Sequence, residues 1–248
     1  MHWFKFKGIS SSMCNVQIED YIPQIIPENK QKFINVPGKD GSLAYGDASL
    51  NDIMLTLNCV IKSSFAEELR MLSRRISLWL KGYGDLSLWD DANIVRKAHV
   101  YSPIQMASFD KFGKFQVKFR CEPFSLGQEI SVPIGGEVLI DGTAPAVGII
   151  SANVPAKGTD VIFNVSKDNN IISKISLSGE VNASDLIIIN LEENIIKINN
   201  INANKRISLN SRFFSVPTGK IKLTATYKVN NVLTSLSSAK FIYRPRWY

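Results

Sequence analysis

Residues 52–62 alternate so strictly that they predict a strand with one side in a core. Ile53, Leu55, Leu57, Cys59 and Ile61 share one face, while Met54, Thr56, Asn58 and Lys62 look the other way. That is the period of two imposed by a pleated backbone. Phe115, Val117, Phe119 and Cys121 repeat the pattern against Gln116, Lys118 and Arg120, and the turn Lys111-Phe112-Gly113-Lys114 before them predicts a hairpin with residues 105–110. The first half is therefore read as sheet, with shorter strands at 2–7, 32–36, 85–89 and 95–101.

One segment breaks the period. Phe65, Leu69, Leu72, Ile76 and Leu80 fall at spacings of four and three, an apolar stripe that predicts a helix over 65–81. Ser64 followed by Glu67 fits a capping box, and Gly82 can take the left-handed conformation that ends the helix. Arg70, Arg74 and Arg75 lie off the stripe. Three arginines are a weak electrostatic footprint, so they are read as a solvated or subunit-facing surface rather than a phosphate grip.

Composition shifts after Cys121-Glu122-Pro123-Phe124. From about residue 126 the chain has no Trp until Trp247, gains Ile, Asn and Ser, and passes through Gly135-Gly136 and Ala144-Pro145. This predicts a domain boundary, with domains at 1–125 and 126–248. Short runs at 160–166, 171–178, 185–191, 195–199, 205–210 and 220–228, separated by polar turns and with no helical stripe, read as an antiparallel β-sandwich of jelly-roll or galectin-like type.

Chemistry is poorly supplied. Hydrophobic residues make up 45% and charged residues 21%, which excludes wholesale disorder. The longest apolar runs, such as Leu186-Ile187-Ile188-Ile189, are too short to cross a bilayer, and no charged start leads into a signal core, so membrane insertion is not expected and synthesis in a cytoplasm is. Cys14, Cys59 and Cys121 are too few and too scattered for a disulfide framework and are read as small buried hydrophobes. The net charge of +7 is spread: residues 1–124 hold 16 Lys and Arg against 13 Asp and Glu, and the remainder 13 against 9, so a nucleic-acid footprint is the minor reading.

Only two histidines exist, His2 at a terminus expected to fray and His99 inside a predicted strand, so any Cys/His or Ser/His/Asp constellation would rest on His99 alone. No cluster has zinc spacing and nothing matches an EF-hand loop, so neither metal nor cofactor is predicted. The adjacent pairs Asp90-Asp91 and Glu192-Glu193 give no support for glycoside hydrolysis, because neighbours in a strand face opposite ways. Catalysis is not expected. A carbohydrate-binding module is the rival reading, but its aromatic platform would have to come from Phe163, Phe213, Phe214, Tyr227, Phe241 and Tyr243, which strand cores claim first. The stretch Pro37-Gly38-Lys39-Asp40-Gly41 lacks phosphate-loop spacing and a following helix. It reads as a tight turn, with Pro fixing one position and Gly accepting positive φ at the next. The Arg244-Pro245-Arg246 tail is expected to dock by local hydrogen bonds and stacking.

Five motifs in this order resemble the siphophage distal tail protein family. Phe4-Lys5-Phe6-Lys7-Gly8-Ile9-Ser10-Ser11 is similar to the family's opening aromatic strand and turn. Val36-Pro37-Gly38-Lys39-Asp40-Gly41 resembles its V-P-G-R-D-G turn, with Lys39 where Arg is usual. Ile76-Ser77-Leu78-Trp79-Leu80 resembles its helix end, Phe119-Arg120-Cys121-Glu122-Pro123-Phe124 the close of its first domain, and Tyr243-Arg244-Pro245-Arg246-Trp247 its ending. Over 125–240 the match is diffuse and rests on strand pattern and on Phe214-Ser215-Val216-Pro217-Thr218-Gly219.

The resemblance implies a non-enzymatic virion protein of a phage or prophage tail, assembled in the bacterial host's cytoplasm. It implies a homo-oligomeric ring, commonly hexameric, formed by an N-terminal β-sandwich or barrel-like domain carrying the one helix. The ring joins the tail tube protein to tip hub or adhesin proteins, with no sequence-specific contact to nucleic acid. The C-terminal sandwich projects outward and can carry adhesion proteins. Pro37, Gly38, Lys39, Asp40 and Gly41, with the polar edge of strand 52–62, are expected to lie between subunits.

Overall fold

A computed structural model describes residues 2–22, 24, 26–63, 65–104 and 112–248. The chain is mainly β and divides into two compact units, residues 1–126 with Tyr248, and residues 127–247.

The first unit contains β1 (Phe4–Phe6), β2 (Ile9–Ser10), β3 (Val16–Ile22), β4 (Asn29–Asn35), β5 (Ser42–Leu50), β6 (Ile53–Lys62), helix α1 (Ala66–Leu80), β7 (Tyr83–Leu88), β8 (Val95–Val100) and β9 (Phe112–Leu126). One antiparallel sheet runs β2-β1-β7-β8-β9-β6-β3, and β4 with β5 forms a separate two-stranded sheet. The strict alternation is realised in the β6/β9 ladder, which runs unbroken from Ile53↔Cys121 to Lys62↔Phe112. It keeps Ile53, Leu55, Leu57, Cys59 and Ile61 on the same side as Phe115, Val117, Phe119 and Cys121, and all nine are buried. A slip of one residue would turn the whole apolar set to solvent, so the register is strongly specified. Residues 105–110, expected as a hairpin strand, and Lys111 of the expected turn lie outside the described residues; Phe112, Gly113 and Lys114, expected in that turn, are instead the start of β9, paired with Lys62, Ile61 and Val60.

Helix α1 lays Leu69, Leu72, Ile76, Trp79 and Leu80 into this core. Trp79 stacks on Phe4 at 5.2 Å and donates from Nε1 to the Phe6 carbonyl at 2.9 Å, so one side chain fixes both the packing and the height of β1 against the helix. The helix begins one residue later than the apolar stripe predicts. Phe65 has extended backbone at the N-cap and is 73% exposed, because a residue that is not yet helical does not share the helix's inward face. Ser64 of the expected capping box lies outside the described residues. Next to it, the Ser63 hydroxyl accepts from Phe65 N at 3.3 Å and donates to Glu68 at 2.7 Å. Beyond the helix Gly82 has φ +91°, the positive value expected of a helix-ending glycine.

The second unit contains β10 (Ile130–Pro133), β11 (Gly136–Ile140), β12 (Gly148–Asn153), β13 (Gly158–Lys167), β14 (Asn170–Val181), β15 (Leu186–Asn190), β16 (Ile195–Ile198), β17 (Ile201–Asn202), β18 (Gly219–Val229), β19 (Val232–Ser235) and β20 (Lys240–Tyr243). A six-stranded sheet β10-β20-β12-β15-β16-β17 faces a five-stranded sheet built on β11-β18-β13-β14, with β19 beside β18. Both contribute to one core: Ile150, Ile187, Ile189 and Phe241 from the first, Val161, Phe163, Leu177 and Tyr227 from the second. This is the antiparallel sandwich that the strand pattern implies.

The predicted strand at 205–210 is not one. Asn204–Arg206 is a short 3-10 turn, and the residues after it lie along the edge of β14. There Ile207 bridges Leu177 and Ser208 N donates to the Ser176 carbonyl at 2.9 Å. Arg206 donates from Nε to the Ser178 carbonyl at 2.8 Å and from Nη2 to the Glu180 carbonyl at 2.7 Å. The segment seals a strand edge in place of extending the sheet.

Burial separates the three cysteines. Cys59 and Cys121 are buried, and desolvation, with smaller charge effects, pushes each thiol up to about 12. Cys14 is only half-buried, contrary to expectation, because it closes a short 3-10 turn, Ser11–Cys14, at the surface. Alkylation of the native protein with iodoacetamide should therefore modify Cys14 first, with Cys59 and Cys121 reacting only on unfolding. Peptide mass mapping of briefly treated protein checks the order, and early modification of Cys121 would contradict its burial.

Candidate assembly surface

The candidate surface begins with the turn at 37–41, which joins β4 to β5. Pro37 and Gly38 occupy its centre, Lys39 N donates to the Val36 carbonyl at 3.1 Å, and Gly38 has φ +82°. This is type II geometry: proline presets the first central position, and only glycine accepts the second without strain. Gly41, at φ +79°, returns the chain into β5, where the Ser42 hydroxyl bonds Asn35 at 2.6 Å. Pro37, Gly38, Lys39, Asp40 and Gly41 are all exposed.

The turn sits on an arm with little core of its own. Every β4 residue is exposed, and Phe33 (70%), Ile34, Val36, Leu43 and Tyr45 (68%) present large apolar surface to solvent. Register pairs Lys32 with Tyr45 and Ile34 with Leu43, so Lys32 shares a face with Ile34, Leu43 and Tyr45. A two-stranded ribbon of this kind is marginally stable in water by itself. The strand 42–50 was not read from the sequence, although Leu43 and Tyr45 alternate with small residues directly after a glycine turn.

At the root of the arm lies an apolar groove of about 710 Å³. Pro27 is buried, with Ile26, Leu50, Pro123, Phe124 and Tyr248 around it. Phe124 and Tyr248 are 5.7 Å apart between ring centroids.

The expectation for strand 52–62 needs correction. β6 has no edge to offer, because β3 and β9 pair with it on either side. Its polar face instead joins a cross-strand lattice on the side of the sheet away from the core: Gln116 with Asn58 at 3.0 Å, Lys114 with Glu19 at 2.8 Å, Arg120 with Asp52 at 2.5 Å and Lys97 with Asp85 at 2.6 Å. Exposed pairs such as these contribute about 0–1 kcal/mol each.

The residues weighed for catalysis are dispersed. His99 lies in β8 opposite Tyr83 and Arg120. His2 stacks on Trp89 at 4.4 Å. Asp90 accepts from the Tyr21 hydroxyl, and Glu192 pairs with Arg246 at 3.2 Å. Arg244 donates to the Gly127 carbonyl at 2.7 Å, the local docking expected of the tail. Phe163, Tyr227, Phe241 and Tyr243 are buried in the second core, with Phe213 and Phe214 packed against it, so none forms an open platform.

Two family descriptions match the chain: the phage tail protein RIFT-related domain over residues 15–121, and the C-terminal domain of the siphovirus-type tail component over residues 141–247. Among solved structures, the chain resembles SPP1 Dit (gp 19.1), described as a paradigm of hub adsorption apparatus in Gram-positive infecting phages. That likeness covers 100% of both chains with a TM-score of 0.82 at 12% identity, a similarity of fold. No curated protein sequence matches. With one tail domain matched in each half, in the order the motifs imply, the chain belongs to the siphophage distal tail protein family, structural components of the phage tail.

Proposed function

We propose that this chain closes into a homo-oligomeric, hexameric ring that joins the tail tube protein to the tip hub and adhesin proteins. Residues 1–125 form the ring, and 126–248 are left to carry adhesion proteins. The ring is assembled in the host cytoplasm and ends in the virion tail. Its work is geometric rather than chemical: it provides a lumen through which DNA passes without its sequence being read.

The exposed arm of β4 and β5 carries this reading. It places five large hydrophobic side chains in water, a cost that a partner surface removes. Pro37 to Gly41 stand at its tip and are assigned to contacts between subunits. Because the arm lies on one side of each copy and must be met by a different surface on the next, the contact is heterologous, and such contacts close into rings when the rotation per copy divides a full turn.

The first test is light scattering over a range of concentrations, with negative-stain images of the main peak. The expected result is a closed ring whose mass is an integral multiple of the 27.7 kDa chain, with a central opening. A monomer at every concentration would overturn self-assembly as the source of the ring.

A further inference from the structure

The outward face of α1 carries a second apolar stripe that the core does not use. Met71 and Leu78 are 57% and 79% exposed, while the helix buries Leu69, Leu72, Ile76, Trp79 and Leu80 on its other side. They stand seven residues apart, two turns of helix and about 10 Å, so one lies almost directly above the other.

Charge frames this stripe. At about 100° per residue, Arg70 falls on one flank, Arg75 on the other and Arg74 between, and all three are exposed. None of them forms an ion pair among the described residues. Arg70 and Arg74 set two like charges one turn apart, a repulsion that weakens a free helix. Glu67, the one fully exposed acid of α1, sits in the first turn, where the positive end of the helix dipole favours it.

We infer that this face of α1 is a docking surface for an acidic, amphipathic helix of a different protein. Such a contact is independent of whether the chain closes into a ring. Three features select that partner. An apolar stripe repeating at seven residues is the seam on which two helices pack, and charges beside such a seam set the choice of partner by pairing across it. Here those charges are Arg70 and Arg75, so the complementary helix carries Glu or Asp beside its own apolar seam. Arginine suits the task, because its planar guanidinium grips a carboxylate through two parallel hydrogen bonds.

A second copy of this chain does not supply the partner. Helix α1 is the only α-helix among the described residues, and two copies of it laid together would set arginine against arginine. The face is also ready for use. Trp79 ties the helix to the Phe6 carbonyl from the buried side, so Met71 and Leu78 are presented without rearrangement.

The probe is a fluorescein-labelled synthetic helix of about three heptads, with Leu on its seam and Glu at the flanking positions, whose like charges keep it from pairing with itself. Its matched control carries Lys in place of Glu. Fluorescence anisotropy with the full chain should show the Glu helix binding, more weakly as salt is raised, and the Lys helix not binding. Met71→Ser with Leu78→Ser should weaken binding about tenfold or more. Arg70→Glu with Arg75→Glu should abolish binding of the Glu helix and create binding of the Lys helix, an exchange that loss of the fold cannot produce. All four positions are exposed, so the variants should keep the wild-type circular dichroism spectrum.

Failure of the Glu helix to bind, or equal binding of the two helices, would overturn the inference. So would binding to phosphatidylglycerol vesicles that the Arg70 and Arg75 changes abolish while the Glu helix is ignored, which would assign the face to an anionic membrane surface. If those changes broke a ring that the wild type forms, and the Glu helix did not bind, the face would belong to contacts between copies.

Discussion

Truncating Phe119 to alanine should destabilise the first unit by about 3–5 kcal/mol, the range for removing a fully buried aromatic ring. Phe119 is the junction of that core. It lies in β9 with no exposed surface, its ring 5.9 Å from Phe4 and 5.3 Å from Phe6, and Phe4 in turn stacks on Trp79 of α1. Removing it opens a cavity among three elements that cannot all relax inward together. A domain's whole stability is of the order of 5–15 kcal/mol, so the loss should lower the unfolding temperature of residues 1–126 by roughly 10–20 °C. Calorimetry of the full chain checks this. A shift of only a degree or two would mean that the aromatic cluster is not the keystone the packing makes it.

Arginines at Asp40 and Gly41 together should abolish ring formation while sparing the fold. Gly41 has φ +79°, where a side chain costs about 1–2 kcal/mol, and both residues are exposed at the arm's tip, so the strain stays local. The expected outcome is conversion of ring to monomer in light scattering, with an unfolding temperature close to that of the wild type. The single variant Asp40→Arg, which leaves Gly41 in place, separates charge from backbone strain and should weaken assembly to a lesser degree. If ring formation were unchanged in the double variant, Pro37–Gly41 would not lie between subunits.

The elements that were legible in the sequence are those whose side chains answer to a single core. Ile53 to Ile61 and Phe115 to Cys121 show their period because each has one buried side. The stripe from Leu69 to Leu80 shows the helix for the same reason. By contrast β5 has no burial pattern to read, since its described residues are exposed or half-buried, and β10, β11 and β12 are short strands among glycines. At 205–210 the alternation was misleading: Ile207 does contact a strand, but as a single bridge to Leu177. The turn at Pro37 was legible because its chemistry is local. The groove was not, because Ile26, Leu50, Phe124 and Tyr248 meet only through folding.

The sealed edge of β14 bears on what happens once many copies are held together. A ring raises the local concentration of its second units far above that in solution, so even a weak tendency of strands to pair across copies would be amplified. An open β14 would offer its carbonyls at Ser176, Ser178 and Glu180 to any neighbour. Ser208 occupies the first, and the guanidinium of Arg206 occupies the other two. In the proposed ring, one arginine and a short detour of chain would act as a safeguard against entanglement, keeping crowded second units separate.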